Sequence, residues 1–144
     1  MLKKLEQLFS TKEAREDTAS IETATAALFV EMAAADFEIA DEERAKMAQL
    51  LGNFFSLDRD EVDELIRQAE KQRQQRNDLW YFTSKVKEFF GRQQKIGILE
   101  NLWMLIYADG RVDRYEDNLI RKITALLGLE HHEMIEAKLK ARKK

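Results

Sequence analysis

The sequence contains no cysteine and no proline, only five glycines and two histidines, and no long apolar run. Without cysteine there is no disulfide, thiolate nucleophile, zinc ribbon or cysteine-held cluster, and the composition suits a cytoplasmic protein. Without proline, and with so few glycines, a sheet fold would lack its usual turn residues, whereas a helical bundle loses nothing. No stretch approaches the roughly 20 apolar residues that a membrane-spanning helix requires. Met1 to Ser10 mixes Leu2, Leu5 and Phe9 with Lys3, Lys4 and Glu6, an amphipathic pattern rather than the uncharged core of a signal peptide.

What is present is amphipathic helix. At 144 residues the chain has the length of one domain, with 44% apolar and 35% charged residues, so its helices combine a buried stripe with a well-solvated outer face. Apolar residues recur at helical spacing in successive groups: Leu28, Phe29 and Met32; Met47, Leu50, Leu51 and Phe54; Val62, Leu65, Ile66 and Ala69; Leu79, Phe82, Val86, Phe89 and Phe90; Leu99, Leu102, Trp103 and Ile106; Leu119, Ile120, Ile123, Leu126 and Leu127. None alternates as a strand does. Asp58 with Glu61 and Asp113 with Glu116 have capping-box spacing, and Gly128 stands where a helix should stop.

A duplication runs through this pattern. Ala35-Asp36-Phe37-Glu38-Ile39-Ala40-Asp41-Glu42-Glu43 and Ala108-Asp109-Gly110-Arg111-Val112-Asp113-Arg114-Tyr115-Glu116 both read A-D-x-x-[IV]-x-x-x-E. With about one residue of slippage, Leu57-Asp58-x-x-Glu61 then aligns with Leu129-Glu130-x-x-Glu133. The fold expected is an all-α bundle of about seven to eight helices built from two pseudo-symmetric helix-loop-helix repeats. One domain spans 1–144: an amphipathic segment at 1–17, repeat one at 21–70, a connecting helix at 77–92 and repeat two at 95–141. Trp80, Tyr81 and Phe82 are consecutive and cannot share one helix face, so at least one should be partly exposed or packed between the halves.

The strongest cluster of chemistry is acidic: Asp109, Asp113 and Glu116, with Asp36 and Glu43 as counterparts. Carboxylate oxygens suit a hard divalent cation such as calcium or magnesium. Asp109-Gly110-x-Val112 and Glu116 match the latter half of an EF-hand loop, but Leu105 and Tyr107 occupy its first and third positions, which excludes an EF-hand. Each residue also has a structural use: Asp113 and Glu116 as a capping box, Gly110 as a left-handed turn residue, Val112 as an apolar plug, Asp36 and Asp109 as Asx-turn acceptors. In the first copy Ala40 replaces the counterpart of Asp113, and Phe37 that of Gly110.

The doubled A-D-G-x-[IV]-x-x-x-E turn and the Ala125-Leu126-Leu127-Gly128-Leu129 segment resemble the TerB (tellurite resistance protein B) family, over about Ile21 to Leu139. The same domain resembles the N-terminal cytosolic region of DjlA-type co-chaperones. The resemblance implies a helical bundle, a cytoplasmic and sometimes membrane-associated setting, a link to tellurite and other chemical stress, and no enzymatic activity. It also implies a divalent-cation site at Asp36, Glu43, Asp109, Asp113 and Glu116. A J-domain requires His-Pro-Asp, which a chain without proline lacks.

Other activities find little in the residues. His131 and His132 are adjacent on a helix and point about a hundred degrees apart, so they do not chelate one ion; His132 with Glu136 is instead an i, i+4 ion pair. No nucleophile elbow, P-loop or dinucleotide fingerprint occurs. The net charge is −3, with positive charge confined to Glu70–Arg76 and the C-terminal tail, which argues against nucleic acid. Met1 to Phe9 is long enough for weak peripheral membrane contact at most. The expected function is a non-catalytic interaction module for an unknown protein partner, acting as a monomer or homodimer; the alternative is a divalent-cation sensor working through the acidic turns.

Overall fold

The structure, a computed structural model, describes residues 12–34, 39–76, 78–108 and 113–143, with side chains described from residue 21 onward. The described residues form seven helices and no strand: α1 (Lys12–Ala33), α2 (Asp41–Phe55), α3 (Arg59–Gln75), α4 (Leu79–Phe89), α5 (Arg92–Tyr107), α6 (Arg114–Leu126) and α7 (His131–Arg142). The 1–10 segment and the turn residues Asp36 and Asp109 lie outside the described residues.

Helix α1 is the centre of the bundle. Between Ile21 and Ala33 nearly every side chain is buried, including Ile21, Ala24, Ala27, Leu28, Phe29 and Met32. A helix apolar on all sides must be surrounded, and α1 packs against α2, α3, α4, α5 and α6. Its alanines allow close approach, and the Thr25 hydroxyl is satisfied by donating to the Ile21 carbonyl at 2.8 Å. Taking α1–α3 as one helix triplet and α5–α7 as a second, α5 plays a similar part for the second, burying Ile98, Leu99, Leu102, Trp103 and Ile106. In each triplet the first helix packs most extensively on the third, α1 on α3 and α5 on α7.

Periodicity located the stripes more closely than their edges. In α2 the buried line runs Met47, Leu51, Phe55 at i, i+4, i+8, so Phe55 is sealed and Phe54 is left half-buried at the stripe's margin. The same register in α4, Phe82, Val86, Phe90, turns Phe89 outward. Of the three consecutive aromatics, Phe82 enters the core, Tyr81 lies half-buried under the Arg76 guanidinium, and Trp80 is 64% exposed. Helix α4 packs on α1 and α6, filling the space between the triplets.

The ends follow the capping residues. Asp58 and Glu61 close a reciprocal box at 2.8 and 3.0 Å, and the Asp78 carboxylate accepts the Tyr81 N–H at 3.3 Å. Gly128 has φ +76°, a left-handed conformation, immediately after α6 ends.

Candidate functional site

The second acidic turn enters α6 through a complete capping box. Asp113 Oδ1 accepts the Glu116 N–H at 2.8 Å, and Glu116 Oε1 accepts the Asp113 N–H at 3.3 Å. Glu116 is only 5% exposed. Of the five acidic residues singled out from the sequence, the structure thus brings Asp113 and Glu116 together and gives each a structural task. Glu43 stands at the matching third position of α2, half-buried, but Ala40 is the N-cap there and offers no side-chain hydrogen bond. Asp36 and Asp109 fall in the turns outside the described residues.

A second carboxylate centre forms at Glu133, whose spacing from Glu130 the repeat showed but whose Arg92 partner it did not. Glu133, 6% exposed at the start of α7, accepts the Glu130 N–H at 2.8 Å and receives both Nε (2.6 Å) and Nη2 of Arg92 at the start of α5. This fork ties the first and third helices of the second triplet together. Beside it, the His132 ring contacts Glu130 at 2.7 Å and Glu136 at 3.5 Å, so the anticipated Glu136 pair exists alongside a shorter one. Ligand atoms of Glu130, His132 and Glu133 lie within 4.8 Å of one another. A cation there would have to displace the guanidinium already on Glu133, so the arrangement suits an ion pair better than a metal.

These contacts shift two titrations in opposite directions. The Glu130 N–H, and then Arg92, hold the Glu133 carboxyl below its ordinary value of 4.5. The hydrogen bond to Glu130 chiefly, with Glu136 assisting, raises His132 above its ordinary 6.5. Glu133 therefore contributes stability that is present above about pH 4.5 and lost as pH falls through its lowered folded value. The His132 contribution is present below about pH 6.5 and lost as pH rises through its raised value. Urea unfolding from pH 3 to 8 should show Glu133→Gln flattening the acid limb and His132→Gln flattening the decline above neutrality; unchanged limbs would contradict both assignments.

At the C-terminal end of α5 lies a cavity of about 500 Å³, lined by Lys46, Met104, Tyr107, Ala108, Ala141 and Arg142. A second, about 360 Å³, shares Lys46 and Met104 with it and continues along Gln49, Leu50, Asn53, Phe54 and Asn101. Together they form one groove between α2 and α5, ending where the Phe54 ring packs against Gly97. Tyr107 stacks on the fully buried Trp103 with ring centroids 5.9 Å apart. Its hydroxyl oxygen is buried yet has no hydrogen-bond partner among the described residues. Burial pushes the phenol above its ordinary value of 10 despite the opposing charge of Arg142, so it is a hydrogen-bond donor at neutral pH.

The family model of tellurite resistance protein TerB matches residues 22–139. The chain belongs to the TerB family. The match runs from the middle of α1 into the last turn of α7, so it takes in most of both triplets. Among solved structures, a protein of unknown function from Porphyromonas gingivalis W83, PG1108, is similar in fold, with a TM-score of 0.65 and 22% identity over 86% of this chain and 89% of that one. No curated protein matches. Among the described residues of this TerB chain, no helix is long and apolar enough to cross a membrane.

Sequence reasoning missed Lys46, Tyr107 and Arg142 because only the tertiary fold assembles them: they come from α2, α5 and the last turn of α7. The one local signal was Tyr107 itself, an aromatic with a polar tip placed directly before the TerB turn motif.

Proposed function

We propose that this TerB-family chain is a non-catalytic protein-interaction module acting in the response to tellurite and other chemical stress, docking its partner beside the second acidic turn. The observation that carries this reading is the α2–α5 groove. Its floor is apolar (Leu50, Phe54, Met104, Ala141) and its rim polar (Lys46, Gln49, Asn53, Arg142), the division typical of a surface that recognises another chain. Asp113 and Glu116, by contrast, are engaged in starting a helix. Incorporation of p-benzoylphenylalanine at Gln49 in cells challenged with tellurite should give a discrete cross-linked adduct that the same probe at Arg67, exposed on α3, does not. Absence of an adduct, or identical adducts from both positions, contradicts the proposal.

A second reading, a sensor in which calcium or magnesium is held by Asp36, Glu43, Asp109, Asp113 and Glu116, is favoured by one observation: Glu116 is buried and shares a reciprocal capping box with Asp113. An ion at 100 times its dissociation constant stabilises the folded state by about 2.7 kcal/mol. Millimolar calcium or magnesium should then raise the melting temperature by several degrees over EDTA. A superimposable melting curve removes this reading.

A further inference from the structure

The two triplets end differently, and the difference points to a ligand. In the first, the cavity beside the turn is lined by Val30, Ala34, Ile39, Arg44, Glu70, Arg73 and Gln74, and its cations are neutralised internally: Arg44 pairs with Glu70 at 2.7 Å and Arg73 with Glu31. The register that places Leu57 over Leu129 places Ala69 over Ala141 and Glu70 over Arg142. Where the first cavity holds an acid, the second therefore holds a base. Arg142 and Lys46 form no salt bridge among the described residues, Lys46 donating only to the neutral Gln49 side chain at 3.3 Å, whereas Lys140 pairs with Glu100 at 3.6 Å and Lys138 sits over the Trp103 ring at 5.1 Å. The same cavity is lined by Tyr107, whose hydroxyl is buried and has no hydrogen-bond partner among the described residues. Two cations and a buried donor line one cavity with no anionic acceptor among the described residues, and an anionic oxygen supplies it.

Beyond this end the groove becomes apolar and rimmed with amides. From Lys46 to Phe54 it follows eight helical residues, about 12 Å, the length of roughly four extended residues. Asn101 lines this stretch and donates its side-chain amide to the Gly97 carbonyl at 2.7 Å, so its oxygen is the group left to accept a hydrogen bond. We propose that this groove binds a short extended segment of a partner protein carrying a carboxylate next to an apolar side chain, the carboxylate bound by Lys46, Arg142 and the Tyr107 hydroxyl and the apolar residue seated against Met104 and Leu50. The proposal rests on the interaction-module reading and specifies the chemistry of its partner.

Panning a displayed random hexapeptide library against the full chain tests it. The enriched peptides are expected to share an Asp, Glu or terminal carboxylate within two residues of a Leu, Ile, Met or Phe, and to weaken as salt rises. Their affinity should fall at least tenfold in Lys46→Glu and in Arg142→Glu, and about fivefold in Tyr107→Phe. That last variant keeps the aromatic stack and discards only an unpartnered hydroxyl, so its melting temperature should not fall. Lys71→Glu, on the exposed side of α3, should bind as the wild type does. Enriched peptides without an acid, or acidic peptides that bind the two charge-reversed variants unchanged, overturn the assignment. So does a panning without consensus combined with phosphatidylglycerol vesicles that bind the wild type and not Arg142→Glu, which would identify a lipid surface instead. A persistent in-cell adduct from Gln49 in any of these cases would leave the interaction module standing and remove only the acidic–apolar chemistry.

Discussion

Replacing Trp103 by alanine should destabilise the protein by about 3–5 kcal/mol, whereas Trp103→Phe should cost far less, on the order of 1 kcal/mol. Trp103 is the largest fully buried side chain, placed on α5 where it stacks on Tyr107 and where Lys138 of α7 covers its ring. Truncation to alanine empties a space between α5 and α7, the most extensively packed helix pair, and rigid helices on both sides limit collapse into it. Phenylalanine fills much of the same space. The decisive difference is the indole N–H, which is buried without a hydrogen-bond partner among the described residues. Its removal relieves an uncompensated desolvation of about 1–3 kcal/mol, which offsets most of the lost volume. Chemical unfolding of the two variants checks this; equal losses would show that the indole nitrogen has an acceptor in solution.

Asp113→Ala should cost about 1–2 kcal/mol, lowering the melting temperature by about 3–8 °C, and by the same amount in EDTA as in millimolar calcium. The loss arises because Asp113 Oδ1 satisfies the Glu116 N–H at the start of α6, and alanine leaves that donor unmet. Asparagine keeps the oxygen and discards the charge, so Asp113→Asn should be nearly neutral. The reciprocal experiment lies in the first copy. Ala40 already has the extended backbone of an N-cap, φ −65° and ψ 153°, but no side-chain bond, so Ala40→Asp should raise stability by about 1 kcal/mol. A cation held by these carboxylates would reverse the first pattern, with Asp113→Asn as damaging as alanine and the damage visible only in the presence of the ion.

Local chemistry was legible in the sequence. The capping boxes at Asp58 and Asp113, the stop at Gly128 and the helical faces from Leu28 to Ile123 all follow from interactions within a few residues, and apart from the marginal Phe54 and Phe89 they stand where spacing placed them. Partial exposure of one residue in Trp80-Tyr81-Phe82 was a steric necessity, but which one depended on how α4 lies on α1. Stripe margins were harder for the same reason: Phe54 and Phe55 differ by one helical step, and only the neighbouring helices decide which is sealed. The Arg92–Glu133 fork joins residues forty-one positions apart, and the groove joins Lys46 to Arg142 across three helices. No local pattern encodes such pairs. What sequence did supply was the alignment of the two copies, and it is that alignment, once the ion pairs are seen, that makes Arg142 conspicuous opposite Glu70.

The central claim is that the second acidic turn builds the helix while the neighbouring groove does the recognising. The direct measurement is the yield of the cross-linked adduct from p-benzoylphenylalanine at Gln49 in two backgrounds, Asp113→Asn and Arg142→Glu, each verified as folded by its melting curve. Retention of the adduct in Asp113→Asn and its loss in Arg142→Glu is the predicted result. Loss in Asp113→Asn with retention in Arg142→Glu would place recognition on the acidic turn itself and contradict the account.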